Sequence, residues 1–338
     1  MKALVLEGPG MAAVRSVPEP REPGKDEILL QVELVGLCGS DLNSYRGRNP
    51  LVSYPRIPGH EVAAVVAESN ADYPEWPAGT QVTLSPYSNC GGCAACLRGR
   101  PNACERNQTL GVQRDGALAE RIAVPAAKLY RANLILKELC LVEPLTVGFH
   151  AAARGRVARD ETVAVFGCGG VGLGAVAGAA YRGAKVIGID VDDGKLAIAG
   201  EAGAAHVINS AAGGLHERLG ELTSGRGPDV VIEAIGLPQT FVAAVEEVAF
   251  AGRVVYIGYA KQRVEYETRL FVQKELEIRG SRNALPEDFV EVIRMLEQHR
   301  FPVEKAVTRV TPLDEAPAAL EEWSAEPSRF TKIMIQVG

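Results

Sequence analysis

The sequence predicts an α/β protein in which a mostly β part carries an inserted, doubly wound parallel part. Three observations carry this. The first 130 residues hold β-branched runs bounded by Pro and Gly, with little helical periodicity. Beyond about residue 145 strand-like and helix-like stretches alternate, as in a parallel sheet. A glycine-rich turn stands between the first strand and the first helix of that alternation.

Taken in order, "EILLQVELVGLC" (27–38), "HEVAAVVAES" (60–69) and "GTQVTLSPY" (79–87) read as strands. The segment 161–204 reads as strand, glycine turn, small-residue helix, strand, helix. "PDVVIEAIG" (228–236), a helix over 239–249 and "GRVVYIGY" (252–259) continue the alternation. "LEIRGSRNA" (276–284) is the last strand of the sheet and its exit. An amphipathic helix over 286–299, a shorter one over 315–323 and a closing strand over 331–338 complete the chain. The tail is too short to stand alone and is expected to return to the β part. The expected domains are therefore 1–147 plus 281–338, and 148–280.

The 338 residues exceed one ordinary core and suit two domains. Net charge is −6 with no basic block, which argues against a nucleic-acid partner. The N-terminal apolar run is broken by Glu7 and Pro9, and the stretch 170–180 is too short and glycine-rich to span a bilayer, so no membrane role is expected. A cytoplasmic location is expected, where thiols stay reduced and clustered cysteines favour metal over disulfides.

In "VAVFGCGGVG", Gly167, Gly169 and Gly172 form a G-x-G-x-x-G turn after a strand and before a helix. The first makes the turn, the second lets a pyrophosphate approach, and the third lets helix and strand pack. Gly170 and Val171 belong to the same loop, whose helix N-terminus offers free N–H groups to phosphate. Asp190 ends the next strand, 23 residues after Gly167 and near the roughly 20 expected for a carboxylate on the ribose hydroxyls. Asp192 and Asp193 follow, and three carboxylates would repel a 2′-phosphate, which favours NAD over NADP. Lys195 either reaches the ribose or is a solvated helix lysine.

Four of the seven cysteines, Cys90, Cys93, Cys96 and Cys104, have the spacing C-x2-C-x2-C-x7-C. Four thiolates close a tetrahedron around one zinc and leave no position for substrate, so the ion is structural. The rival is an iron–sulfur cluster, whose bacterial motif ends in x3-C-P; here the last interval is seven and no Pro follows.

A second set of metal-ligand types lies outside that lobe: Cys38 in "GLCGSD", His60 and Glu61 in "PGHE", and Glu143 in "VEP". Together with the lobe and "GCGGVG", these motifs occur in the order and approximate spacing of the zinc-dependent medium-chain alcohol dehydrogenases. The chain resembles that family over essentially its whole length. The resemblance implies a GroES-like catalytic domain with an inserted Rossmann domain, two zinc ions per chain, and NAD as hydride acceptor. It implies that Cys38 and His60 bind a catalytic zinc. Where many relatives carry a later Cys, this chain has Glu143, the pattern of the polyol dehydrogenases, so Glu61 and Glu143 both stand as the third ligand or as holder of a zinc-bound water. It further implies that Ser40 relays the alcohol proton and that Asp41 orients the site. Many relatives have His where this chain has Asn43, so the outer end of the relay differs.

The segment 45–61 is most similar to the sugar-acid members, the L-galactonate 5-dehydrogenase-like proteins. Arg46, Arg48 and Arg282 are candidates for a carboxylate or several hydroxyls, since Arg suits bidentate recognition, and Tyr45 is a candidate pocket wall. The resulting expectation is a zinc- and NAD-dependent dehydrogenase of a polyol or sugar acid, working as a homodimer or homotetramer as relatives do. The alternatives are an L-threonine-type dehydrogenase and a non-catalytic nucleotide- or zinc-sensing module.

Overall fold

The computed structural model describes all residues, Met1–Gly338, and they divide into two compact units. One is Met1–Glu143 with Val303–Gly338; the other is Pro144–Pro302.

The first unit is built on a seven-stranded sheet. Its path runs Arg309–Pro312, Ile333–Gln336, Glu27–Leu37, Glu61–Val66, Gln81–Leu84, Leu129–Arg131, with Arg121–Pro125 also pairing Glu27–Leu37. The long strand Glu27–Leu37 alternates half-buried and buried residues before a fully buried end, so one face makes the core with Leu4, Leu30, Val62, Leu84 and Leu118. The register at that buried end matters most. Gly36 lies opposite Glu61, and Leu37 opposite Ile333. Three chain segments far apart in sequence therefore meet there: the run into Cys38, the Glu61 strand and the residue before Ile333, which is Lys332.

The second unit holds a six-stranded, all-parallel sheet. Its order is Ala204–Asn209, Lys185–Asp190, Thr162–Phe166, Val230–Glu233, Arg253–Tyr256, Glu277–Gly280. The first strand lies inside the sheet and the order reverses beside it, the doubly wound arrangement whose ligand site lies beyond the strand C-termini. The central strands are buried on both faces, which is why they read as unbroken apolar runs.

The sequence predicts boundaries at 147/148 and 280/281, whereas the structure divides at 143/144 and 302/303. Most of the difference is the helix Pro286–Glu297. Its apolar face, with Phe289, Val292 and Met295 buried, belongs to the second unit. A buried pair fixes it there: His150 Nδ1 lies 2.8 Å from Asp288 Oδ2, which also accepts the Leu285 N–H that begins the helix. The helix Leu136–Arg154, which carries Glu143, is absent from the sequence reading; Pro144 in its interior masks the helical pattern. No helix is long and apolar enough to cross a membrane.

Candidate metal and cofactor sites

Cys38 is the N-cap of the short helix Gly39–Tyr45. Asp41, in the first turn, is 1% exposed and joins the two segments that carry Cys38 and His60. Its Oδ2 accepts the Cys38 N–H at 2.8 Å, and its Oδ1 accepts the Gly59 N–H at 3.3 Å and lies 3.9 Å from His60 Nδ1. The ligand atoms of Cys38, His60 and Glu61 all lie within 4.8 Å of one another. Glu143 is buried on the helix that Cys140 ties to the Glu61 carbonyl through Sγ at 3.2 Å, and Tyr87 OH donates to its Oε1.

The electrostatics ask for a cation. Burial pulls the His60 pKa down, but the negative groups Asp41, Cys38 and Glu143 more than reverse it and hold it well above the ordinary value. Burial pushes Glu143 and Asp41 above the usual carboxylate range. Thiol, imidazole and carboxylate converge with His60 and Glu61 buried and Cys38 half-buried, and His60 Nδ1 is buried without a hydrogen bond. This donor set fits a zinc ion with Cys, His and carboxylate ligands.

Glu61 differs from Glu143 in its partner. Lys332 Nζ donates to both carboxylate oxygens at 2.6 and 2.7 Å and to the Leu37 carbonyl at 3.2 Å. All three ammonium protons are thus used, and Lys332 is only 6% exposed. Space for the carboxylate comes from Gly36, where an added Cβ would lie 2.0 Å from Glu61 Oε2.

Ser40 Oγ is buried without a hydrogen-bond partner, next to Cys38 in the chain. Asn43 is half-buried, and its carbonyl accepts the Arg48 N–H. The substrate candidates fare differently. Tyr45 packs into the hydrophobic core of the first unit. Arg46 donates through Nε to Ser324 Oγ at 3.0 Å and through a terminal nitrogen to the Ser324 carbonyl, so it caps the last turn of the helix Ala316–Ala325. These contacts account for both residues as packing. Arg48 is exposed, and Arg282 is half-buried in the second unit.

In the lobe, Cys93 Sγ lies 3.5 Å from Cys96 Sγ and 3.8 Å from Cys104 Sγ, and Cys104 Sγ lies 3.6 Å from Cys90 Sγ. A zinc ion with Zn–S bonds of about 2.3 Å sets tetrahedron edges of about 3.8 Å, so the cluster is sized for one ion. A multi-iron cluster, whose cysteines ligate different irons, needs a wider frame. The Cys90 and Arg106 N–H groups both donate to Cys104 Sγ at 3.3 Å. Backbone N–H groups of Cys96 and Glu105 bring the Cys93 thiol down to about 6, while burial lifts Cys96 to about 11.

In the second unit the glycine turn has the form its spacing predicts. Gly167 is left-handed, with φ 93°, and a Cβ there would meet the Ile235 side chain at 2.6 Å. Gly169 caps the helix Gly170–Tyr181, leaving the N–H groups of its first turn, Gly170 and Val171 included, for an anion. A Cβ on Gly172 would lie 1.8 Å from the Gly167 carbonyl oxygen, so helix and strand close only over glycine. Asp190 does more than the sequence indicates. Its Oδ2 accepts the Cys168 N–H at 2.8 Å, and its Oδ1 accepts the Val191 and Asp192 N–H groups at 2.8 and 3.1 Å. A carboxylate has about four acceptor positions, so it can tie down the glycine loop and still receive a ribose hydroxyl. Lys195 is half-buried, and its N–H donates to Asp192 Oδ1 at the helix start.

Sequence reasoning missed Tyr87 and Lys332. The available signals were a tyrosine just before the first cage cysteine and a lone lysine opening the apolar closing strand.

The chain is similar to known proteins over essentially its whole length. Residues 24–133 match the model of the alcohol dehydrogenase GroES-like domain, and residues 170–298 that of the zinc-binding dehydrogenases. The chain is 37% identical to an uncharacterized zinc-type alcohol dehydrogenase-like protein of Haemophilus influenzae, with 98% of each covered. It is 32% identical to L-galactonate-5-dehydrogenase of Escherichia coli, over 86% of each. An alcohol dehydrogenase of Escherichia coli CFT073, solved with NADH, superposes with a TM-score of 0.90 at 29% identity, covering 100% of this chain and 99% of that one. The chain belongs to the zinc-dependent medium-chain alcohol dehydrogenase family. Within it, the chain falls with the polyol and sugar-acid dehydrogenases.

Proposed function

We propose that this protein oxidises a secondary alcohol of a polyol or sugar acid, with NAD as hydride acceptor. The observation that carries the reading is the convergence of Cys38, His60 and Glu61 in a chain that also presents a glycine turn closed by Asp190. A zinc ion held at the first set would supply Lewis acidity, lowering the pKa of a bound hydroxyl.

The residues divide the remaining work. Cys38 and His60 would hold the ion, with Glu61 or Glu143 as the third protein group. Asp41 sets the relation between Cys38 and His60 through the two backbone N–H groups it accepts. Ser40 Oγ takes the alcohol proton, and its unpartnered, buried state suits a hydroxyl awaiting that bond. Asn43 does not titrate, so the proton leaves through water, ribose or another acid. The helix start at Gly169–Gly172 receives the pyrophosphate and Asp190 the ribose hydroxyls, with Lys195 as a further ribose candidate in the first turn of the next helix, Asp193–Glu201. Asp190, Asp192 and Asp193 together disfavour a 2′-phosphate.

The sugar-acid assignment draws on the similarity to the L-galactonate enzyme, with Arg48 and Arg282 as the remaining arginine candidates. All seven cysteines are free thiols, in keeping with a reducing, cytoplasmic setting and a metal-bound lobe. We expect a homodimer or homotetramer, which sedimentation would measure. The test of function is NAD reduction across polyols, aldonates and hydroxyamino acids. Oxidation of a polyol or aldonate supports the reading. Exclusive use of a hydroxyamino acid moves the protein to the L-threonine type, and no turnover with any of them favours a sensing module.

A further inference from the structure

Tyr87 stands where the four-cysteine lobe begins. It lies in the two-residue strand Tyr87–Ser88, with Tyr87 opposite Thr109 and Ser88 opposite Gln108. Two residue pairs cannot hold a ladder in water unaided. The lobe itself supplies the closure. Cys90 follows one strand and Cys104 precedes the other, and the Cys90 N–H donates to Cys104 Sγ. The Leu110 N–H to Pro86 carbonyl bond, at 3.1 Å, adds a second tie across the neck. Tyr87 is therefore pinned by the lobe, and the residue is 7% exposed.

From that position the Tyr87 hydroxyl donates to Glu143 Oε1, 56 residues away in sequence. A buried carboxylate needs a donor, because leaving it unpaired forfeits its solvation. The kind of donor decides what the carboxylate can still do. The Lys332 ammonium cancels the charge of Glu61. The phenol of Tyr87 is neutral, so it fixes Glu143 in place without cancelling its charge. The helix that carries Glu143 is tied to that set by geometry: Cys140, three residues before Glu143, donates through Sγ to the Glu61 carbonyl at 3.2 Å, and the Cys38, His60 and Glu61 ligand atoms lie within 4.8 Å of one another.

We propose that Tyr87 is a positioning residue for the metal centre at Cys38 and His60, holding Glu143 where its charge serves that centre. The inference rests on the reading of those two residues as zinc ligands. It goes beyond that reading by giving the lobe a route to the chemistry: the structural cage places Tyr87, and Tyr87 places Glu143.

The test exchanges the ion at this centre for Co2+, with zinc retained in the lobe, in wild type, Tyr87→Phe and Cys38→Ser. Phenylalanine keeps the buried ring and removes only the hydroxyl. Co2+ absorbs in the visible, and its bands report the ligand field independently of turnover. Loss of a partner that orients metal-site groups typically weakens metal binding about 10–100-fold, and that loss is expected in Tyr87→Phe together with shifted cobalt bands and an intact lobe zinc. Wild-type bands and wild-type Co2+ affinity in Tyr87→Phe would overturn the proposal. The Cys38→Ser protein separates the two levels. If it binds Co2+ as wild type does, the ligand assignment itself has failed. If it loses that site while Tyr87→Phe is unchanged, only the role of Tyr87 has failed.

Discussion

Lys332 Nζ lies 2.6 and 2.7 Å from the two carboxylate oxygens of Glu61, and both side chains are buried. The pair spans 271 residues of sequence and is set by the register that places Leu37 opposite Ile333 and Gly36 opposite Glu61. Removing one partner of such a pair leaves an uncompensated buried charge, at a cost of about 3–5 kcal/mol. Lys332→Met should therefore lower the melting temperature of the metal-free protein sharply. A bound dication would take over the lost compensation, so added zinc should stabilise Lys332→Met more than wild type. Thermal melts with and without zinc would check this, and an equal zinc effect in both proteins would remove Lys332 from the metal site.

Asp190 accepts the Cys168, Val191 and Asp192 N–H groups, and the proposed function gives it a second, separable role at the ribose. Asp190→Ala should raise the Kd for NAD, since each lost ribose hydrogen bond is worth ~1 kcal/mol, or about 1.5–3 to a charged acceptor. It should also destabilise the protein by about 1–3 kcal/mol, because the buried Cys168 N–H loses its acceptor. Calorimetric titration with NAD and denaturant unfolding measure the two effects. NADP used more efficiently than NAD by the wild type would contradict the role given to this carboxylate.

Ser40→Ala should depress turnover about 10²–10⁴-fold, the usual contribution of positioned proton transfer. Both zinc ions and NAD should remain bound, since Ser40 Oγ makes no hydrogen bond that holds the fold. Asn43→His should change turnover modestly and add a titration near the ordinary His value of ~6.5 to the pH–rate profile. Wild-type turnover in Ser40→Ala, with deuterated substrate showing hydride transfer still rate-limiting, would send the relay elsewhere.

Metal analysis should find two zinc ions per chain with different lability. An ion in the lobe would have four sulfurs and no open position, whereas one at Cys38 and His60 would keep a position open for substrate. Gentle chelation should remove one ion together with activity and leave the other. Full activity with a single zinc per chain would refute this division.

Much of the molecule was determined by sequence alone, wherever the determining interactions are local. The glycine turn is legible because Gly167 needs a left-handed backbone and Gly172 must lack a Cβ, and both demands act within a few residues. The cage is legible because four thiols in positions 90–104 can meet without help from the rest of the chain. The parallel strands are legible because burial on both faces leaves unbroken apolar runs. Tertiary structure alone decided what depends on register and on packing between distant segments. It brought Lys332 to Glu61 and Tyr87 to Glu143, so two carboxylates with the same ligand chemistry received partners of different charge. It also turned Arg46 toward Ser324 and sent Tyr45 into the core, although both stood beside the metal motif in sequence. A one-residue shift of a strand moves every side chain to the other face, and a motif of a few residues carries no record of which strand lies beside it.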